Sequence, residues 1–241
     1  MKVVAVIPCY NEEKTIAEVV RKTKEHTDRV IVVDNMSSDK TLEEAEKELP
    51  CYNIYRCYSK GAGITTGYGL AYSLNPLLHL FGDIIVTLDG DGQHDPDEIP
   101  QLIQPILDNK ADVVIGSRFM KGAIAPTYRK FGIDVITWLY NVGHRQKIKD
   151  GQCCFRAFNR ETLKSILPIE EHGFSFSVET LIKARAIGSR IYEVPVSCIY
   201  HEDFKDNSTM NPIIHGLGVV FGVIKWRFKM ELVNRIKQKG V

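Results

Sequence analysis

The feature that most constrains this chain is an alternation of two periodicities. Short unbroken runs of β-branched residues are separated by stretches whose apolar residues recur at helical spacing. Residues 3–7 read Val-Val-Ala-Val-Ile, a strand with no polar face. Residues 12–26 follow, with Ile16, Val19 and Val20 on one side of a predicted helix. Asn11 is its expected N-cap, and Glu12 and Glu13 suit the positive end of its dipole. Residues 30–33 repeat the strand pattern. Ser38 then heads a predicted helix carrying Leu42, Ala45 and Leu49, with Pro50 beyond its end. Further strands are expected over 54–57, 83–88 and 113–116, and helices over 61–74 and 96–107. Strands that are apolar on both faces, each followed by a helix, predict an α/β fold with a mostly parallel central sheet and helices on both faces. The second half is less regular: a helix over 127–144, strands over 155–158 and 190–196, and a helix over 177–187 ended by Gly188. A length of 241 residues suits one large domain of this kind.

Open α/β sheets bind ligands at the carboxyl ends of their strands. Those ends are therefore where chemistry is expected, and each carries polar residues. The first is followed by Pro8-Cys9-Tyr10-Asn11-Glu12, and the second by Asp34-Asn35-Met36-Ser37-Ser38-Asp39. A carboxylate there can accept hydrogen bonds from a ribose or a base, although capping by Asn11, Ser38 and Asp39 accounts for several of these residues alone. The third end reads Ser59-Lys60-Gly61-Ala62-Gly63. A lysine and glycines at a helix start can meet a phosphate, but the spacing fits neither the P-loop nor the dinucleotide fingerprint.

The fourth end is the sharpest: Asp89-Gly90-Asp91-Gly92-Gln93-His94-Asp95. Two acids one residue apart can reach a single cation, and oxygen ligands suit Mg²⁺ or Mn²⁺ bridging a diphosphate. Gly90 and Gly92 let backbone approach a ligand. A calcium loop is excluded, since its closing glutamate is replaced by Pro100 at the twelfth position. The fifth end supplies Gly116-Ser117-Arg118, and Arg129 lies beyond it. Both arginines offer fork geometry for phosphate oxygens.

Composition sets the remaining bounds. The formal net charge is +1, which gives no reason to expect nucleic acid as a partner. Six cysteines show no zinc-site spacing, and the adjacent pair Cys153-Cys154 is poor disulfide geometry, so a reduced, cytoplasmic setting is expected. Residues 3–7 lack the cleavage site of a signal peptide. The apolar stretch over 213–224 is shorter than the roughly 20 residues a bilayer span needs.

Taken in order, Pro8-x-Tyr10-Asn11-Glu12, Val32-Val33-Asp34, Asp89-Gly90-Asp91-Gly92-Gln93-His94, Gly116-Ser117-Arg118 and Asp150-Gly151-Gln152 with Phe155-Arg156 resemble glycosyltransferase family 2, with its GT-A fold. The resemblance runs from about residue 2 to 195 and is nearest to the dolichol-phosphate mannose or glucose synthase branch. It implies roles. Pro8, Tyr10, Glu12 and Val33 would line a nucleoside pocket, with Asp34 and Asn35 near base or ribose and Lys60 and Gly90 against the donor. Asp89, Asp91 and Gln93 would hold Mn²⁺ or Mg²⁺ on the donor diphosphate. Arg118 and Arg129 would contact phosphate. Glu179 matches an acidic position common in the family. Asn35 stands where many relatives carry a second aspartate. The late basic segment of relatives is replaced by 201–208, where Lys205 would supply the basic contact and His201 an additional metal ligand.

The implied reaction is an inverting transfer from a nucleotide sugar to a polyprenyl or dolichyl phosphate. A hydroxyl acceptor would need a base, for which Asp150 is the candidate. Two other readings stay open at this point. One is a transferase acting on a glycan hydroxyl; the other is a non-catalytic nucleotide-sugar-binding protein. Nucleotidyl transfer is disfavoured, because no glycine-rich basic loop follows the first strand. The expected organisation is a GT-A domain over 1–205 and a basic amphipathic helical tail over 206–241. In the tail Lys225, Arg227, Lys229, Arg235, Lys237 and Lys239 interleave with Trp226, Phe228, Met230, Leu232, Val233 and Ile236. Such a helix suits a headgroup layer, so peripheral attachment to the cytoplasmic face of a membrane is expected.

Overall fold

Residues 1–76, 82–122, 127–199 and 212–239 are described in the computed structural model, those over 127–129, 212–215 and 231–239 by backbone alone. The β-branched runs become strands β1 (Val3–Cys9), β2 (Arg29–Asp34), β3 (Ile54–Arg56), β4 (Ile84–Thr87) and β5 (Val113–Ser117), joined later by β6 (Arg156–Asn159) and β7 (Ile191–Pro195). The helices between them are α1 (Ile16–His26), α2 (Thr41–Glu48), α3 (Ala62–Ser73), α4 (Ile99–Leu107), α5 (Thr127–Asn141), α6 (Arg160–Ile166), α7 (Phe176–Ala186) and α8 (Pro212–Lys239). All seven strands form one sheet in the order β3-β2-β1-β4-β6-β5-β7. The pairings β1–β2, β1–β4, β2–β3 and β5–β7 are parallel. Strand β6 runs antiparallel to both neighbours, with Arg156 facing Thr87 on one side and Ile115 on the other.

The centre of the sheet is the core. Val4, Ala5, Val6 and Ile7 of β1 and Val30, Ile31, Val32 and Val33 of β2 are at most 1% exposed. Burying each large apolar side chain contributes about 1.5–3 kcal/mol, set against the chain entropy lost on ordering it. Helix α3 forms despite its glycines because one of them is needed for contact. A Cβ on Gly69 would stand 2.3 Å from Val6 Cγ1, so only glycine lets α3 lie this close to β1.

Helix α8 packs one face on the domain: Val219, Val223 and Trp226 are at most 2% exposed. Its opposite side carries Leu217, Phe221, Ile224 and Phe228, from 41% to 73% exposed and spaced i, i+4, i+7, i+11. Among the described residues, no helix is long and apolar enough to cross a membrane. All six cysteines are free.

Two expected helix starts move inward. Helix α1 begins at Ile16, four residues after the expected start, and Asn11 is not its N-cap. Asn11 instead takes a left-handed φ of 56°. Its Oδ1 accepts from Ser38 N (2.9 Å), so it ties two strand ends together. Helix α2 begins at Thr41, and Asp39 rather than Ser38 accepts from Thr41 N (3.0 Å).

Candidate active site

The carboxyl ends of β1, β2, β4 and β5 gather the expected residues on one edge of the sheet. Asp34, at the end of β2, is fully buried, accepts from Ser37 N (3.2 Å) and lies 3.4 Å from Arg56 Nε. Its neighbour Asn35 uses both ends of its amide. Oδ1 accepts from Gly61 N (3.0 Å) and Nδ2 donates to Ser59 O (2.8 Å), which holds the turn bearing Lys60. Lys60 itself is exposed. Tyr10 is 43% exposed beside this edge. Val33 is 1% exposed and its side chain packs in the core, so any part it takes in a nucleoside pocket falls to its backbone.

The acidic segment follows β4. Asp91 Oδ1 accepts from Gln93 N (2.9 Å), closing a turn over residues 91–93 that follows closely on Asp89. Gly90 is occupied by its own chain: its N donates to Pro8 O (3.3 Å) and its O accepts from Thr15 Oγ1 (2.8 Å). Burial and the Asp91 charge push the Asp89 carboxyl up to about 7, although Arg118 and Arg156 pull the other way. At 38% exposure the Asp89 side chain still meets solvent, which screens part of that repulsion. Burial, Asp91 and Asp89 together push Glu12 up to about 8. Asp89 and Glu12, both pushed up with the Asp91 charge among the causes, mark a surplus of negative charge, which is the condition a divalent cation relieves. Aspartate oxygens and a glutamine carbonyl are hard donors suited to Mg²⁺ or Mn²⁺, so the residues present fit such an ion. A tighter trio of possible ligand atoms exists among the described residues at Glu25, His26 and Asp97. Its acids lie at the far end of α1 and already face Arg21 and Lys22.

Arg118 follows β5 and does not stand alone. Its Nε and Nη2 donate to Asp150 Oδ2 (2.7 Å) and Oδ1 (2.9 Å). Asp150 is fully buried and also accepts from the backbone N–H groups of Arg118, Gln152 and Cys153. Burial raises its proton affinity, but Arg118 outweighs this and holds the carboxyl below its ordinary range. Glu193 of β7 accepts from Lys149 N and Asp150 N and so fixes the loop that carries Asp150. Arg129 lies in the first turn of α5, where only backbone is described, and Lys205 and His201 fall outside the described residues. Glu179, in the first turn of α7, is fully buried and accepts from Glu170 N and Glu171 N (2.8 Å each).

Two participants carried no assigned role in the sequence. Arg156 is 2% exposed and donates to Cys153 O, Gly151 O, Ser177 O and Thr180 Oγ1, which ties the Asp150 loop to α7. His94 is 4% exposed, stacks on Phe155 and lies 3.8 Å from Asp89. Burial, reinforced by Arg118, pulls its pKa down to about 3, so it stays neutral beside the acids. Both stand inside the quoted motifs, but only the fold shows that they brace rather than face a ligand. An open cavity of about 510 Å³ lies elsewhere, at the carboxyl end of α5, lined by Trp138, Asn141, Arg145 and Lys147 among others. The strand-end edge, not that cavity, holds Asp89 and Glu12, the acids whose proton affinity is raised beside Asp91.

A doubly covered, mostly parallel sheet with an Asp-x-Asp turn after its fourth strand defines a glycosyltransferase of the GT-A fold. The chain belongs to glycosyl transferase family 2, whose family profile matches residues 4–167. It is 34% identical over 223 residues to the UDP-N-acetylglucosamine–dolichyl-phosphate N-acetylglucosaminyltransferase of Methanococcus voltae, covering 82% of this chain and 85% of that one. It is 29% identical over 241 residues to the undecaprenyl-phosphate mannosyltransferase of Micrococcus luteus, covering 94% of each chain. Among solved structures it resembles the glucosyl-3-phosphoglycerate synthase of Mycobacterium tuberculosis bound to Mn²⁺, UDP and phosphoglyceric acid. That likeness has a TM-score of 0.68 at 17% identity and covers 93% of this chain and 78% of the other.

Proposed function

We propose that this protein moves a sugar, with inversion, from a UDP- or GDP-linked donor to a polyprenyl or dolichyl phosphate. One observation carries the reading: Asp89, Asp91 and Glu12 crowd their charges where β4 ends, in a family whose similar members are named as polyprenyl-phosphate sugar transferases. Asp89, Asp91 and Gln93 are the proposed ligands of Mn²⁺ or Mg²⁺. When bound, the ion would neutralise charge on the departing nucleoside diphosphate. Pro8, Tyr10, Glu12, Asp34, Asn35 and Lys60 form the donor side. Arg118 and Arg129 address phosphate oxygens.

The state of Asp150 bears on the acceptor. Its oxygens are engaged by Arg118 and by three backbone N–H groups, and its proton affinity is low. It is therefore poorly suited to take a proton from a hydroxyl. Its role here is to aim Arg118. A phosphate acceptor is already ionised near neutral pH and needs no such base, which favours it over a glycan hydroxyl. The exposed apolar stripe of α8, flanked by Lys225, Arg227 and Lys229, is the proposed contact with a membrane surface, where such an acceptor resides. On this reading residues 206–241 serve attachment and the preceding chain serves catalysis.

The test is transfer of radiolabel from UDP- and GDP-sugars, with Mn²⁺ and dolichyl phosphate, into the organic-extractable fraction. Label should move into lipid with wild-type protein and not with Asp91→Ala. Label reaching only water-soluble glycans would overturn the acceptor assignment.

A further inference from the structure

The loop over 168–173 is clasped from two directions. From below, buried Glu179 accepts from Glu170 N and Glu171 N and pairs with Lys183 (2.6 Å). Lys183 also donates to Pro168 O (2.6 Å). From the side, α8 grips Glu171. Trp226 Nε1 donates to Glu171 Oε1 (2.8 Å), Lys225 Nζ lies 2.7 Å from the same oxygen, and Lys229 pairs with Glu170 (2.6 Å). Trp226 is fully buried, with the ammonium groups of Lys183 and Lys229 over its ring at 4.6 and 4.5 Å.

The far side of this loop presses on the start of α3. Gly63 N donates to His172 O (2.9 Å). A Cβ on Gly61 would stand 2.2 Å from His172 O, and one on Gly63 2.0 Å from Glu171 O. The backbones meet without room for a methyl group, so a shift of the loop must shift Gly61 to Gly63. Gly61 N is in turn held by Asn35 Oδ1, and Lys60 is the residue before it.

We infer that Glu171 and Trp226 are positioning residues for the donor site, acting through the His172 carbonyl on the Lys60–Gly63 turn. The inference rests on the proposed donor role of that turn. It makes α8 part of the donor-binding apparatus: the helix whose outer face is offered to a membrane fixes, through its inner face, the place where a diphosphate is to be met.

The experiment uses the full chain with Glu171→Ala and Glu171→Gln. Hydrogen exchange is followed over residues 59–66, and UDP and GDP are titrated calorimetrically with Mn²⁺. In Glu171→Ala, exchange over 59–66 should quicken while peptides from β1 and β4 stay protected. The nucleotide that wild-type protein binds should bind about tenfold more weakly, the scale of losing a charged hydrogen bond. Turnover at saturating donor should stay near wild type. Glu171→Gln keeps an acceptor for Trp226 Nε1 and should return most of the affinity. Unchanged exchange and affinity in Glu171→Ala would overturn the inference and leave the donor reading intact. Wild-type protein that binds neither nucleotide would overturn both. If Glu171→Ala fails to fold, Trp226→Phe removes the same donor with most of the ring retained and meets the same criteria.

Discussion

Arg118 and Asp150 meet as a fork, Nε to Oδ2 at 2.7 Å and Nη2 to Oδ1 at 2.9 Å, with the carboxylate wholly out of solvent. Removing one partner of a buried pair leaves the other charge uncompensated. Asp150→Ala should therefore cost about 3–5 kcal/mol in urea denaturation and largely abolish transfer, because Arg118 loses its aim.

The same pair sets a pH dependence. Asp150 is held below its ordinary value of 3.8, so its carboxylate stabilises the fold fully above that value. As pH falls through 3.8 toward the lower folded-state pKa, that contribution is lost. Denaturation curves for wild type should show this acid loss, and Asp150→Ala should show less of it.

Cation binding should be visible without turnover. Mn²⁺ at a hundred times its dissociation constant would add about 2.7 kcal/mol to the native state and raise Tm. Asp89→Asn and Asp91→Ala should each remove most of that rise in a thermal-shift measurement. An equal rise in all three proteins would reject these ligands.

Asn35→Asp tests the clamp on the Lys60 turn. An aspartate cannot donate to Ser59 O and sets a carboxylate against that carbonyl. The expected cost is about 1 kcal/mol in stability, with a raised KM for the donor and a smaller change in kcat.

The α8 stripe can be separated from the fold. Phe221 and Phe228 are 73% and 71% exposed, so Phe221→Asp with Phe228→Asp should change stability by no more than about 0.5 kcal/mol per site. The same double variant should lose recovery with anionic liposomes in a flotation assay. Undiminished recovery would place the membrane contact elsewhere.

The sheet and the acids at its edge were legible because β-branched runs and strand-end acids are local signals. Asp89 and Asp91 stand out as candidates by their spacing alone. What the sequence hid are relations that cross it. Val33 reads as part of a motif, yet its strand is covered on both faces, so its side chain packs in the core. Asn11 has the residue type of a helix cap, but its left-handed backbone turns its amide toward Ser38. Arg156 and Glu193 carry no sequence mark of their roles: β6, returning between β4 and β5, sets Arg156 to brace the Asp150 loop, and β7, beside β5, lets Glu193 hold that loop's backbone N–H groups. The direction of β6 was equally closed, since a four-residue strand carries no mark of polarity.

That reversed strand explains how the edge came to be so richly furnished. Neighbours running one way leave the sheet at a given rim and must travel around it to come back. A strand running the other way is entered from that rim, so the segment leading into it is delivered beside Thr87 and Ile115 without any detour. Departures and one arrival thus share a border. The arriving segment thereby brings Asp150 and Gln152 to the border where the departing strands leave Asp89, Asp91 and Arg118, and the Arg118–Asp150 fork is the bond that joins the two.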